Sequence, residues 1–524
     1  MPVMPFFRLV RAGFVMAREG VFGLVSLPDL PPGPRLGIAL ARLLERRAVK
    51  DKSAELRLSD ALNKLGPSYV KLGQFLATRA DVVGKDAARE LSALQDRLPA
   101  FDHEDARAAI AEQLGHPVDD IFAEFGEAVA AASIAQVHPA VIQRSDGTRK
   151  KVAVKVLRPG VSRRFQRDLE SYYLVARLAE RFHAPSRRLR PVAVVDTLAQ
   201  SVAIEMDFRL EAAALSEMAE NTANDPGFRV PSVEWLETAK GVLTMEWIDG
   251  RKMSDVDGLI EDGHDLEALG AAVIQSFLRH TLRDGFFHAD MHQGNLFVQE
   301  DGTLVAVDFG ITGRLNKRER RFLAEILFGF ITRDYRRVAE VHFEAGYVPF
   351  NQDVDMFAQA IRAIGEPIHG HDASEISMAR LLTQLFEVTE LFEMRTQTQL
   401  IMLQKTMVVV EGVARSLNPN LDMWRTAEPV VGNWIKEHLG PVGKLRDAGD
   451  VVSALTRAAN DLPIFADRIG HMSEALENMT RDGLRFDAQT AEAIGRAEAR
   501  HTRSGRVALW VIAACALVLT YLAI

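Results

Sequence analysis

DGFFHADMHQGNLFVQEDGTLVAVDFGITG, residues 284–313, is the stretch whose reading decides the fold. In order it reads as a helix end, a polar loop, a β-hairpin and a turn closed by glycine. His288-Ala289-Asp290 is followed by Asn295, and Asp308-Phe309-Gly310 begins thirteen residues after that amide. A carboxylate, an amide and a second carboxylate at these intervals suit phosphoryl transfer, whose catalysis is mostly positioning and charge neutralisation. Asp290 would act as the catalytic base or orient the attacking hydroxyl or water. Asn295 and Asp308 would hold Mg²⁺ against the phosphates. An Asp-Phe-Gly triplet alone is a weak signal. The whole spacing, with Val152-Ala-Val-Lys155 upstream, is a strong one.

Protein kinases run through the same order of motifs, so the spacing predicts an α+β, bilobal, protein-kinase-like fold. Lys155 is placed like the strand lysine that contacts the α- and β-phosphates of ATP. Residues 240–250, KGVLTMEWIDG, read as a strand leading into the hinge between lobes. Kinases hold adenine there through the backbone, which makes Met245 and Trp247 candidate contacts. Residues 266–283 carry apolar side chains at helical spacing and end just before the polar loop. After Gly313 no APE-type segment appears, and residues 342–419 are helical in pattern.

The chain has 524 residues, 48% hydrophobic and 26% charged, with a net charge of −8. That balance, with no basic stripe interleaved with aromatics, argues against a general nucleic-acid binder. Cys515 is the single cysteine, so neither an intramolecular disulfide nor a thiolate metal cluster can form. Residues 507–524, VALWVIAACALVLTYLAI, are eighteen residues without a charge, behind Arg500, Arg503 and Arg506. As a helix they would reach roughly 27 Å at about 1.5 Å per residue, enough to cross most of a bilayer core. The basic flank puts the bulk of the protein on the cytoplasmic side, the inner membrane if the source is bacterial. At the other end, Arg8, Arg11 and Arg18 interrupt an apolar, amphipathic stretch without a clear cleavage site. It reads either as a membrane-surface helix or as a terminal packing helix. The expected organisation is an N-terminal amphipathic segment (1–35), a helical extension (36–120), an N-lobe with a helical insertion (121–248) and a C-lobe (249–425). A helical stalk (426–505) and a transmembrane helix (507–524) follow.

KLGQ (Lys71 to Gln74), AAASIAQVH (Ala130 to His138) and EMDFRLEA (Glu205 to Ala212) resemble the UbiB family of atypical kinase-like proteins over roughly residues 60–420. Read without the family, Lys71 and Gln74 form a solvated polar face of a helix, and Gly73 hints at close packing there. Ala130-Ala131-Ala132-Ser133 reads as a helical turn rich in alanine. The arginine-rich stretch between Pro159 and Gln200 reads as solvated surface.

The resemblance implies more. Ala130 to Ser133 would stand where ordinary kinases cover the phosphates with a Gly-rich loop, with Cβ atoms keeping the backbone farther away. Glu211 would partner Lys155, with Glu205 and Asp207 forming an ExD motif. On a regular helix Asp207 and Glu211 share a face and Glu205 points elsewhere. One acid therefore serves the lysine and another the extension or a metal. Lys71 and Gln74 would lie over the site where a peptide docks in an ordinary kinase, obstructing protein phosphorylation. Two departures stand out: Met291 and Gln293 replace two family prolines, which removes two φ restraints from the loop.

The function implied is a membrane-anchored atypical kinase or ATPase using ATP and Mg²⁺ in support of ubiquinone biosynthesis. Its partners would be membrane lipid and isoprenoid quinone precursors, or the enzymes that make ubiquinone. A nucleotide-binding scaffold without phosphoryl transfer is the alternative of a different class. A small-molecule kinase of the aminoglycoside phosphotransferase type fits less well, given the KLGQ helix and the apolar tail.

Overall fold

The computed structural model describes residues 3–24, 32–49, 52–77, 99–182, 187, 189–370, 391–394 and 398–440, with isolated positions at 91, 384 and 388. Among the described residues the extension has helices α1 (Val3–Arg18), α2 (Pro32–Arg42), α3 (Ala54–Leu65) and α4 (Pro67–Ala77). Ser53 caps α3, and Gly66 ends it at φ +102°. Pro67 then opens α4, where its missing N–H is no loss. Within the helical extension expected over 36–120, α2 and α3 are separated by a 3₁₀ turn at Arg47–Val49.

The N-lobe begins with α5 (His103–Leu114), capped by Asp102 and closed by left-handed Gly115. After the short α6 (Val118–Ile121) come β1 (Glu124–Phe125), β2 (Ala130–Ala131), β3 (Ala135–Gln143) and β4 (Arg149–Leu157). Among the described residues α7 (Val161–Phe182), α8 (Pro191–Glu205) and α9 (Phe208–Thr222) follow. β5 (Phe228–Arg229) leads to β6 (Val242–Glu246). The sheet is antiparallel in the order β1-β3-β4-β6, with β2 added on β3. Along β4, Val152, Val154 and Val156 are buried and pack with Ile110, Phe122 and Val242. Strand alternation puts Lys155 on the opposite face. Lys155 and the core beneath α5 are therefore on two sides of one strand.

The C-lobe has β7 (Arg251–Lys252), α10 (Val256–Glu261) and α11 (Leu266–Arg279), the last running into a π-turn at His280–Asp284. Then come β8 (Phe286–His288), β9 (Leu296–Val298), β10 (Leu304–Ala306) and β11 (Thr312–Arg314). Strands pair as β5-β10-β9-β7 and β11-β8. Helices α12 (Lys317–Thr332), α13 (Tyr335–Glu344), α14 (Val354–Gly370), α15 (Thr398–Leu417) and α16 (Met423–Leu439) complete the lobe. Gly285 and Gly313 are among the glycines that close approach requires. Gly285 ends the π-turn at φ +67°, where a Cβ would lie 2.4 Å from the Leu315 carbonyl oxygen. At Gly313 a Cβ would lie 2.1 Å from the Phe287 ring.

The arginine-rich insertion is not simply solvated surface. Its helix α7 buries Phe165, Tyr172 and Ala176. Arg164 also donates to the Leu65 carbonyl at 2.6 Å, clamping the α3–α4 junction. Helix α16 spans the boundary read at 425/426: Val431 is buried, and the Trp434 indole donates to the Leu282 carbonyl at 2.9 Å. The chain divides into compact units at Ile435/Lys436. Of the second unit only the end of α16 and Gly440 are described. The remaining stalk and the apolar segment 507–524 lie outside the described residues. Among the described residues, no helix is long and apolar enough to cross a membrane.

Candidate active site

Lys155 sits at the centre of the site. Its Nζ donates to Glu211 Oε1 at 2.8 Å, to Glu211 Oε2 at 3.0 Å and to Asp308 Oδ1 at 3.0 Å. Local structure aims Glu211 there. Asp207 is the N-cap of α9, accepting from the Arg209 N–H, while its carboxylate is gripped by the Arg209 guanidinium at 2.8 and 2.6 Å. The Phe208 N–H donates to the Lys240 carbonyl at 2.9 Å, which fastens α9 to the start of β6. Glu211 follows one turn later, buried, while the Phe208 ring lies 5.4 Å from the Lys155 ammonium.

Glu205, Asp207 and Glu211 do not share one helix. Glu205 ends α8, Asp207 caps α9 and Glu211 lies within α9, so i, i+4 reasoning did not apply. Glu205 instead accepts from Lys71 Nζ at 2.6 Å, with both side chains about 15% exposed or less. Lys71 is therefore paired and largely buried, not part of a solvated face. Gly73, two residues on, is buried. The described contacts seat α4 against α3, α7 and α8.

The polar loop is braced from within. His288 is buried; its Nδ1 accepts from the Asp290 N–H at 3.0 Å and its Nε2 faces the Val307 carbonyl at 3.1 Å. This network assigns the proton to Nε2. Burial holds the imidazole below its ordinary pKa, against the pull of Val307 and the neighbouring acids, which suits a neutral ring. Asn295 Nδ2 donates to the Asp290 carbonyl at 3.2 Å, and the Val307 N–H donates to the Asn295 carbonyl at 2.9 Å. Loop and Asp-Phe-Gly turn are thereby joined. The Asp290 carboxylate is half-exposed, with His292 Nε2 3.8 Å away.

Asp308 adopts φ +62°, in the left-handed region that non-glycine residues seldom occupy. Phe309 packs inward on the His288 ring with centroids 4.6 Å apart, leaving Asp308 turned toward Lys155. The Asp308 side chain is half-exposed, and against the cost of its partial desolvation the Lys155 ammonium holds the carboxyl well below the usual range. Burial likewise works against the Lys155 cation, and Asp308 and Glu211 together raise its pKa instead. For Glu211, burial pushes the carboxyl up to about 7, against the lysine's pull.

Ala130 to Ser133 are not a helical turn. Ala130 and Ala131 pair with Val137 and Gln136 in β3, and the Ala132 N–H donates to the Ala135 carbonyl at 2.8 Å, closing a hairpin. The hinge reading needs adjustment too. The Trp247 N–H is already donated to the Lys151 carbonyl, and the Trp247 indole to Asp249. Met245 is buried and pairs with Ala153, which by strand alternation puts it on the Lys155 face of the sheet.

Met291 and Gln293 do not leave the loop loose. Met291 is buried, and Gln293 donates to the Ser416 hydroxyl on α15. From the same helix the Thr406 hydroxyl lies 3.0 Å from the Ala289 carbonyl. Sequence reading missed these ties, as it missed Gln136. That side chain bonds both backbone groups of Phe101 and His138 Nε2, while His138 Nδ1 meets the Gly126 carbonyl. The partners are mostly backbone atoms distant in sequence, which leave no pattern to read.

A family model described as the ABC1 atypical kinase-like domain matches residues 93–342, and one described as the UbiB helical domain matches residues 361–422. The "Probable protein kinase UbiB" of Marinobacter nauticus is 38% identical over 462 residues, covering 87% of this chain and 83% of its own. Its namesake in Azotobacter vinelandii is 40% identical over 449 residues, covering 84% and 82%. A solved erythromycin complex from Mycobacterium tuberculosis aligns at 25% identity and a TM-score of 0.45, over 72% of this chain and 95% of that one. An overlap that loose carries no argument about function.

Proposed function

The chain belongs to the UbiB family of atypical kinase-like proteins, and we propose that it is a membrane-anchored, Mg-ATP-dependent atypical kinase or ATPase supporting ubiquinone biosynthesis. The observation that carries this reading is Lys155 held between buried Glu211 and Asp308, beside a loop that keeps both Asp290 and Asn295. In the proposed state Lys155 contacts the α- and β-phosphates while Glu211 keeps it oriented. The hairpin of Ala130 to Ser133 covers the phosphates less closely than glycines would. Adenine binds along the strand end at Met245 to Trp247, through backbone groups other than the committed Trp247 N–H. Asp290 orients the acceptor or takes its proton; half-exposed, it is reachable from the cleft.

The donor set suits Mg²⁺, a cation that takes oxygen ligands and keeps several waters. Asn295 commits its Nδ2 to the Asp290 carbonyl, which identifies Oδ1 as the amide atom a cation would meet, and Asp308 supplies a carboxylate. When bound, Mg²⁺ would neutralise charge on the phosphates.

The acceptor is water or a lipid-like molecule rather than a protein. Lys71, Gln74 and the Lys71–Glu205 pair belong to a helical extension that ordinary kinases lack, and its proposed place is over the peptide-docking side. Segment 507–524 would place the site near a bilayer, where isoprenoid precursors or the enzymes that process them reside. The names of the relatives support the ubiquinone link.

Phosphate release from Mg-ATP by the full-length protein, with and without anionic vesicles, tests the reading. Release that Asp308→Asn abolishes is the expected result. Tight nucleotide binding without release under either condition would replace it with a nucleotide-binding scaffold.

A further inference from the structure

Helix α1 is apolar on two opposite faces, and only one of them is buried. Pro5 and Ala12 are buried, and Arg8 reaches Glu170 and Ser171, the latter at 3.2 Å, so this face is fixed to α7. On the opposite side Phe7, Val10 and Phe14 follow at i, i+3, i+7, and they are 62%, 53% and 47% exposed. That spacing makes them one continuous ridge on the helix surface. Three such residues scattered over the protein would need no explanation, but a contiguous apolar ridge marks an interaction surface.

The charges around the ridge say what it meets. Arg11 is exposed one turn after Phe7, and the Arg18 guanidinium lies 5.6 Å from the Phe14 ring centroid. Val3–Arg18 contains three arginines and no acid, and the neighbouring α2 adds Arg42, again with no acid. Next to this, Leu40 and Leu43 are 57% and 80% exposed. Aromatic and aliphatic side chains bordered by arginines, on a helix without acids, are the composition of a helix lying in an anionic lipid–water interface. The ridge is convex and its helix is already seated by its other face, so a soft, planar partner suits it better than a groove.

We propose that the outward face of α1 docks on an anionic phospholipid surface, with Phe7, Val10 and Phe14 entering the acyl boundary and Arg11 and Arg18 meeting the headgroups. Such docking would orient the extension as well as tether it. The seat is joined to α4 through α7: Asp168 accepts from Ser68, and Tyr172 stacks edge-on with Tyr69 at 5.5 Å. Two residues beyond Tyr69 stands Lys71, paired with Glu205. The proposal does not rest on phosphoryl transfer, so lipid contact and nucleotide turnover can fail separately.

Cys515 is the single natural cysteine, which makes site-specific labelling direct. Full-length protein carrying Cys515→Ser and Val10→Cys, labelled with an environment-sensitive fluorophore, is reconstituted into phosphatidylcholine vesicles with or without phosphatidylglycerol. Doxyl groups on the lipid chains serve as quenchers. The expected result is a blue shift and several-fold quenching in the anionic vesicles. Both should be much weaker in phosphatidylcholine alone and at about 0.5 M salt, where exposed charges are screened. Phe7→Asp with Phe14→Asp should abolish them while leaving nucleotide binding intact. A label that stays water-exposed in both vesicle types overturns the proposal. So does shielding without lipid: if it vanishes on deleting residues 507–524, the chain's own tail is the occupant, and if it rises with protein concentration, a second copy is.

Discussion

Lys155→Met should destabilise the fold through Glu211, in a way that depends on pH. In the parent, burial pushes the Glu211 carboxyl up to about 7 while Lys155 pulls against it and Asp308 adds to the rise. A buried pair of this kind roughly balances desolvation against attraction, but removing one partner leaves the other's desolvation uncompensated, about 3–5 kcal/mol. Protonation caps that cost. The carboxyl of the unfolded chain has its ordinary value of 4.5. Holding it neutral at about pH 7.5 therefore costs about 4 kcal/mol at most, at about 1.4 kcal/mol per pH unit, and the parent, with its carboxyl at about 7, already bears about 3.5 kcal/mol of that. The sign follows from the direction. In the variant the folded-state pKa lies above the unfolded one, so the folded protein binds more protons and loses stability as pH rises above the unfolded value. Because the parent carboxyl itself titrates at about 7, both proteins lose stability alike below that value, and the gap between them in urea denaturation should widen by about 1.4 kcal/mol per unit only above it, between roughly pH 7.5 and pH 9. Adding Glu211→Gln should recover most of the loss and flatten the slope, because the amide has no proton to acquire. A gap that stays constant from about pH 7.5 to pH 9 and is untouched by Glu211→Gln would refute the reasoning.

Four further outcomes are expected. A double-mutant cycle on Lys71→Met and Glu205→Gln should give a coupling of about 0.5–3 kcal/mol in denaturation, the range for residues in one ion pair; additive effects would mean that the pair is not made in solution. Burial depresses the pKa values of His138, His280, His288 and His342, so each unfolded-state imidazole binds a proton that the folded one resists. Stability should therefore decline as pH falls below the ordinary histidine value of 6.5, and further in stronger acid as Asp225, held low by His280 and Arg283 against burial, is forced to protonate. Gly313→Ala puts a methyl into the Phe287 ring and should cost about 1–3 kcal/mol by thermal or chemical unfolding, partly relieved by Phe287→Leu. Gln293→Ala and Ser416→Ala should each lower phosphate release with little change in nucleotide KM, and together do no more than either alone, as expected for one hydrogen bond that steadies the loop.

Much of the site could be read along the chain because its parts are local. His288, Asp290, Asn295 and Asp308 fall within one segment, and the alternation that turns Lys155 away from its valine neighbours is written in VAVK itself. Errors came where neighbouring elements overrode a local pattern. Lys71 reads as solvated on any helical wheel, yet Glu205 covers it. Three acids within seven residues read as one helix, yet the chain breaks between Glu205 and Phe208 and sends the acids to different duties. AAAS has helical propensity, but β3 offers it a ladder and tertiary pairing wins.

What the sequence by itself determined is the type and order of the elements, and the donor and acceptor groups that each carries into the cleft. These follow from spacing, periodicity and side-chain chemistry, all short-range properties. Only the tertiary structure decided which acid reaches Lys155, that Lys71 is paired, and that α15 steadies the polar loop through Thr406 and Ser416. Those contacts join residues 56, 134, 117 and 123 positions apart. They depend on how packed helices and sheets bring side chains and carbonyls within about 3 Å of each other, and no local pattern encodes that.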